Sequence, residues 1–450
     1  MSKNVPQNNL IIKLLIFLFI ILMCFLIFIK IKQDNDPNRI LEEQKTNLFS
    51  VIDKTTNVNV TEYSVYGTHF NIEGTLDTIK ISGIQINYVN LIIKNLEGEE
   101  IEISSNFDYT DNSISFSTSD TINEGINLED LSIDNYYLLL KIIYSNGDIK
   151  YYSLKNASEY NNTTYYTLTK NNTNNKIDIA FDTYNDIPYM SLNVTKAESL
   201  PEDVYDIAID PGHGGIDTGA VSGDYTEADL VLEYGLNLKS KLEALGLKVF
   251  ISRDGSESSQ EDTTTNMYDE DGRINILNKS KAKLLISLQL NSNSYEQNDG
   301  GVEIYAPSNC NLDFANLLAS NIVTQANTHY SNLSTFKKAD GVYVRNFTNA
   351  DISSFNKNAQ RDGYEPYTIT TDTPYLYIIR ETGGIATNAF VDGRNKEYGT
   401  NQYYNSNTGI ETYSIELGYM TVEQDFNNIL ANSDKYMEAI SQSIKTYYID

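Results

Sequence analysis

From Val204 onward the chain alternates strand-like and helix-like segments, and this constrains its fold more than any other feature of the sequence. "VYDIAID" reads as a strand. "TEADLVLEYGLNLKSKLEALG" reads as a helix, with Thr226 placed to cap it, Asp229 three residues on to complete a capping box, and Gly246 to end it. "LKVFISR" is then a strand, "DGRINILNKSKA" a helix, "KLLISLQ" a strand, "LDFANLLASNIVTQANTH" a helix and "ETYSIEL" a strand, before a final helix beginning at "EQDFNNILANS". Strands separated by helices of this length are joined by crossovers. The expected fold is therefore α/β, a mostly parallel sheet with flanking helices. Two stretches interrupt the alternation, Ser256 to Glu270 and Asn346 to Gly409. Long loops of this kind either line binding sites or are plain insertions.

Upstream the period changes. Between residues 51 and about 200 the chain runs in short alternating segments such as "TIKISGIQINYVNLIIKNLEG" and "YYLLLKIIYSNGDIKYYSL", broken by Gly, Asn and Asp. Period two with such breaks predicts antiparallel strands and hairpins, with a turn at "SNGD", and so a β-sandwich-like domain. The 34 tyrosines, in a chain without tryptophan, read there as ordinary strand formers. With 450 residues the chain has room for two cores. Residues 32–50 read as a polar stalk.

"LLIFLFIILMCFLIFI", Leu14 to Ile29, is uninterrupted and apolar. With its neighbours it makes a segment of roughly 20 residues, long enough to span a bilayer. No small-residue cleavage site follows it, so residues 10–31 are expected to be an uncleaved transmembrane signal anchor behind a short cytoplasmic tail, 1–9. The formal charge of −28 argues against nucleic acid as a partner, because such a field repels phosphates. Two cysteines, Cys24 and Cys310, rule out a cysteine-built zinc site. With only His69, His213 and His329 available, any metal site must rest mainly on oxygen ligands or one imidazole.

In open α/β sheets, ligands gather beyond the carboxyl ends of the strands. His213 follows the first strand on a glycine-rich turn, Gln289 ends "LLISLQ", Glu416 ends "ETYSIEL", and Glu227 opens the first helix on the same face. A structural role alone does not call for a histidine among Gly212, Gly214 and Gly215. Asp210 and Asp217 beside it read as turn-forming and hydrogen-bonding residues, and His329 as a surface residue at a helix end.

At these residues the sequence resembles a known family. "DPGHGGIDTGA", "TEADLVLEYGLNLKSKLEALGLKVFISRD", "GRINILNKSKAKLLISLQLNS" and "YSIELGYM" are similar, in order and spacing, to zinc-dependent N-acetylmuramoyl-L-alanine amidases of the Amidase_3 type, over about residues 203–450. The resemblance implies a phosphorylase/hydrolase-like fold and cleavage of the amide between N-acetylmuramic acid and the L-alanine of the stem peptide. Peptidoglycan is then the partner, and the domain belongs outside the cell membrane. Carried over by motif position, His213 and Glu227 are zinc ligands and Glu416 is the catalytic carboxylate. The third ligand is expected where the pattern reads S-x-H-x-N, and here that position is Gln289, framed by Ser287 and Asn291. Asn291 and Arg380 match positions that can contact substrate, and Arg273 one that is structural or substrate-orienting.

The departure at Gln289 leaves three outcomes open. A carboxamide oxygen is neutral, as an imidazole nitrogen is, but it is a weaker and more flexible ligand for zinc. Zinc binds through His213, Glu227 and Gln289 with reduced affinity, or another residue supplies the third ligand, or the domain has lost its metal and binds or regulates the wall without cleaving it.

Overall fold

The C-terminal strands are buried on both faces, as a parallel sheet covered by helices requires. In the computed structural model the sheet has seven strands in the order Val249–Ile251, Ile207–Pro211, Leu284–Asn291, Glu411–Tyr419, Glu303–Tyr305, Val342–Tyr343 and Lys337–Ala339. The first four run parallel, and Glu303–Tyr305 turns the direction by pairing antiparallel with Glu411–Tyr419. The structure describes residues 15, 17–25, 30, 36–77, 85–110, 113–118, 124–256, 272–292, 300–308, 310–361, 363, 369–383 and 408–450.

The expected helices form at Glu227–Ala244, Arg273–Lys279, Asp313–Ala326 and Glu423–Ile444. Thr226 Oγ1 accepts from the Asp229 amide at 3.2 Å and caps the first of them. Gly246, with φ of +89°, lets the chain turn out of it. One face of the sheet buries Ile209, Ile286, Leu288 and Ile415 against Val231, Leu238, Phe314 and Ile440 of these helices. The other face packs Ala208 and Leu285 against Ile274, Leu277, Ile378 and Ile379. The stretch from Asn346 to Gly409 is not merely a loop: it contains helices Asn349–Arg361 and Tyr377–Thr382.

Upstream, alternating burial builds an antiparallel ladder. The whole sheet has thirteen strands, and it folds back over its own core, because Tyr63 on Val58–Tyr66 meets Phe181 on the distant strand Asn175–Tyr184. One strand, Thr408–Gly409, comes from the far end of the chain and pairs in parallel with Val65 and Tyr66. The two halves are thereby stitched together. Thr169 donates its amide to Asp206 Oδ1 at 2.8 Å, and Lys283 lies over the Tyr165 ring at 5.6 Å. A cleft of about 980 Å3 remains at this seam, lined by Tyr165, Thr163, Lys283 and Ile410 among others. Lys283 and Ile410 precede their strands, so the β-rich half docks at the amino ends of the parallel strands. The carboxyl ends stay clear of it.

One expectation changes here. Where residues 32–50 read as a polar stalk, residues 37–50 form a helix, Pro37–Ser50, capped by Asp36. Leu48, Phe49 and the following Ile52 bury against Ile92, Tyr137, Leu139 and Tyr189 of the β-rich half. Its apolar side chains, Ile40, Leu41, Leu48 and Phe49, are too few to show helical periodicity, and only the last two are buried. The tail 1–9 and half of the expected span 10–31 lie outside the described residues. Among the described residues no helix is long and apolar enough to cross a membrane.

Candidate active site

Strand register brings the polar residues at the carboxyl ends into a row. Gln289 pairs with Glu416, and Glu416 pairs on its other side with Glu303. Laterally paired residues in a sheet share a face, so these three side chains stand side by side. One rung lower, Asp210 pairs with Ser287.

His213 reaches this row on a strained turn. Its φ is +59°, in the left-handed region that a residue with a Cβ adopts at a cost. Two buried arginines hold the turn. Arg253 Nε donates to the Pro211 carbonyl at 3.0 Å and its terminal nitrogen to that of Gly212 at 2.8 Å. Arg273 donates to the carbonyl of His213 itself and lies with its Nε 3.4 Å from Asp210 Oδ1. The expected structural role for Arg273 is thus tied to the histidine loop.

His213 Nε2 lies 3.2 Å from Glu227 Oε2, and His213 Nδ1 lies 2.8 Å from Asp217 Oδ2. Glu227 is the first residue of its helix and is buried. Its Oε1 accepts the amide of Leu290 at 2.7 Å and its Oε2 that of Ala220 at 2.9 Å. Burial alone would lower the imidazole's pKa. The hydrogen bonds and charges of Glu227 and Asp217 outweigh it and raise the pKa to about 8.

Gln289 is half-buried and lies flat over Gly212. A Cβ at Gly212 would sit 2.2 Å from Gln289 Oε1 and 2.4 Å from Nε2. A side chain at Gly212 would push the carboxamide out of this place. Glu416 stands beside it with its pKa raised to about 8, first by burial and then by the neighbouring charges of Glu227 and Glu303. A carboxyl in such surroundings holds its proton more tightly than one in water, which suits a group that exchanges protons.

The other sequence candidates fall less close. Asn291 Nδ2 donates to Glu303 Oε2 at 3.3 Å. Arg380 is not brought to this site. Its side chain is 4% exposed, paired with Glu381 at 2.8 Å and bonded to the carbonyls of Pro374 and Tyr375. It sits in the short helix Tyr377–Thr382, which packs toward the amino end of Glu411–Tyr419, and burial there removes it from any substrate. His329 has its Nδ1 3.9 Å from Asp425, and His69 is a half-buried strand residue.

Sequence reading missed one group outright and the partners of two others. Asp217 and Asp210 read as turn-forming and hydrogen-bonding residues, but only the His-x3-Asp spacing hinted that Asp217 bonds His213. Glu303 is fully buried and takes hydrogen bonds from Asn291, Tyr305, Ser331 and Tyr419. Its one signal was a carboxylate in the otherwise apolar "GGVEIY".

Residues 207–446 match the Amidase_3 family, described as N-acetylmuramoyl-L-alanine amidase. The chain belongs to that family. It is 32% identical over 115 residues to the germination-specific N-acetylmuramoyl-L-alanine amidase of Bacillus subtilis, a match covering 24% of this chain and 48% of that protein. It is 33% identical over 104 residues to the amidase AmiA of Escherichia coli, covering 23% of this chain and 32% of the relative. The chain thus spans half or less of these curated relatives. Among solved structures, an N-acetylmuramoyl-L-alanine amidase from Clostridium difficile 630 aligns at 19% identity with a TM-score of 0.35, covering 55% of this chain and 97% of that one.

The family is zinc-dependent, and the residues present can be tested against that ion. Two ligands on tetrahedral zinc, with bonds of about 2.0–2.1 Å, stand roughly 3.3 Å apart. The His213 Nε2 to Glu227 Oε2 separation of 3.2 Å matches that edge. A carboxylate on the far ring nitrogen, as Asp217 supplies, is the usual partner of a zinc-bound histidine. Among the described residues no group of three His, Cys, Asp or Glu is placed to hold a metal ion. His213 and Glu227 fit two of zinc's positions, and the carboxamide oxygen of Gln289 would have to serve as a neutral third.

Proposed function

We propose that this chain is a peptidoglycan hydrolase that cleaves the amide between N-acetylmuramic acid and L-alanine of the stem peptide. The observation that carries the reading is the His213–Glu227 pair at zinc-ligand separation, with Asp217 behind the imidazole and the carboxyl of Glu416 one strand from Gln289. Zinc held by His213, Glu227 and Gln289 would supply an acidified water and a Lewis acid for the amide carbonyl. The protein's own groups do the rest. Arg253 and Arg273 fix the loop that presents His213. Glu416 exchanges protons with the attacking water and the departing nitrogen, which is a poor leaving group until protonated.

The same proposal places the chain at the cell membrane. Residues 10–31 would act as a single-pass anchor, with the amidase-like half outside, where peptidoglycan lies. The unbroken apolar run from Leu14 to Ile29 supports this. So does the helix Pro37–Ser50, which joins that segment to the β-rich half.

One observation favours a second reading, a domain that binds or regulates the wall without cutting it: the amide where the family pattern has a histidine. Three retained polar groups in working geometry favour catalysis. The deciding experiment measures zinc per chain and stem-peptide release from purified wall, for the native protein and for Gln289→His. Zinc binding and release by the native protein, abolished by a chelator and by Glu416→Ala, is the expected result. A native protein that binds wall but neither zinc nor cleaves, with both restored by Gln289→His, would establish the second reading.

A further inference from the structure

Gln289 differs from an imidazole in one decisive respect. Its two terminal atoms are alike in size, but only the oxygen can face a cation, while the NH2 would repel it. Something must therefore choose between the two orientations, and the groups that do so lie outside the ligand set. We infer that Asp210 and Ser287 form a relay that turns the carboxamide of Gln289 so that Oε1, and not Nε2, is presented as the third zinc ligand. This inference rests on the amidase reading of the site.

The relay starts at a fully buried carboxylate. Asp210 is held by Ser252, whose hydroxyl donates to Oδ1 at 2.6 Å, and by the Arg273 guanidinium at 3.4 Å. Its other oxygen, Oδ2, accepts from the Ser287 hydroxyl at 3.1 Å. A carboxylate between a hydroxyl and a guanidinium can only accept, so the single hydrogen of Ser287 is committed to it. Towards Gln289 the serine then has only lone pairs. Gln289 Nε2 supplies the matching N–H at 3.1 Å. The reverse orientation would set two acceptor oxygens against each other in a buried place.

With Nε2 fixed on Ser287, Oε1 takes the opposite side of the group. The whole carboxamide lies over Gly212, the residue before His213, and of its two terminal atoms only Nε2 has a hydrogen-bond partner among the described residues. The amide of the next residue, Leu290, meanwhile holds Glu227 Oε1. The backbone on either side of the ligand set is thus tied to it, and the carboxamide oxygen is left open. An outer partner of this kind typically sets metal affinity by 10–100-fold.

The test uses the full-length protein in detergent and measures zinc affinity by competition with a chromophoric chelator. Four proteins are compared: native, Ser287→Ala, Ser287→Gly and Ser252→Ala. Thermal melting in excess chelator reports whether each is folded. Ser287→Ala and Ser287→Gly should each weaken zinc binding by roughly 10–100-fold. Ser252→Ala takes a hydroxyl from the same carboxylate without touching the path to Gln289, and should stay within about threefold of native. Native-like affinity in both folded Ser287 variants would overturn the relay and leave the amidase reading standing. An equal loss in Ser252→Ala would also overturn it, since the effect would then belong to Asp210 in general. A native chain that binds no zinc, while Gln289→His does, would overturn the relay and the zinc-dependent reading together.

Discussion

Asp217 Oδ2 and His213 Nδ1 are 2.8 Å apart, and that bond decides which face of the imidazole is available for chemistry. With Nδ1–H given to Asp217, Nε2 points to Glu227 at 3.2 Å. Asp217→Asn keeps a side chain that can still accept from the Gly219 amide, as Asp217 Oδ1 does at 3.1 Å, but it removes the charge behind the ring. Zinc affinity should fall about 10–100-fold, with little change in melting temperature in chelator. Chelator competition measures the first and calorimetry the second.

Glu416 is expected to act on protons and not to hold the metal. Glu416→Gln keeps its size and its place between Gln289 and Glu303. Zinc content should remain at the native level, while kcat for stem-peptide release falls by roughly 10²–10⁴. A variant that lost zinc along with activity would move Glu416 into the ligand set.

A Cβ at Gly212 would meet the Gln289 carboxamide at 2.2–2.5 Å, and the end of that side chain can swing aside. Gly212→Ala should therefore leave fold stability close to native while it displaces Gln289 and weakens zinc binding. The same substitution in a Gln289→Ala background should have no such effect on zinc binding, because the obstructing group is gone. A double-mutant cycle on zinc affinity and urea midpoint measures that coupling.

At the seam between the halves, burial raises the Glu129 carboxyl to about 7, against partial compensation from the Leu168 amide and the charges of Lys170 and Lys283. The folded value lies above the unfolded one. This group's contribution to stability is therefore fully present below about pH 4.5 and is lost as the pH rises through 7. Glu129→Gln, which stays uncharged, should flatten that fall. Melting temperature recorded from pH 5 to 8 should drop less in the variant than in the native chain.

The helix Pro37–Ser50 depends on few contacts. Phe49 meets the rings of Tyr137, Tyr184 and Tyr189 at 5.7, 4.9 and 5.3 Å. Phe49→Ala should cost about 3–5 kcal/mol if the docked helix and the β-rich half unfold together. Hydrogen exchange should quicken first in residues 37–50.

Much of this was legible in the sequence, for local reasons. Strand–helix alternation after Val204 foretold a mostly parallel sheet, because each buried strand needs a helix to cross back. The Thr226–Asp229 cap and the stop at Gly246 are governed by residues a few positions apart, and they appear as read. Glycines around His213, and a glutamine and a glutamate at two strand ends, marked the place where a site could form. The family motifs marked the same residues.

The tertiary structure decided what depends on partners distant in sequence. Arg380 had the right residue type for a substrate contact, yet it folds into a buried pair with Glu381 far from the row of Gln289, Glu416 and Glu303. Helix 37–50 was invisible because only its C-terminal end, Leu48 and Phe49, docks. Glu303 and Asp210 looked ordinary until sheet register set one beside Glu416 and the other beside Ser287. Sequence determines which groups exist and which local turns hold them. Register and burial determine which groups meet, and in a carboxamide such as Gln289 they also determine which of two nearly identical atoms faces the site.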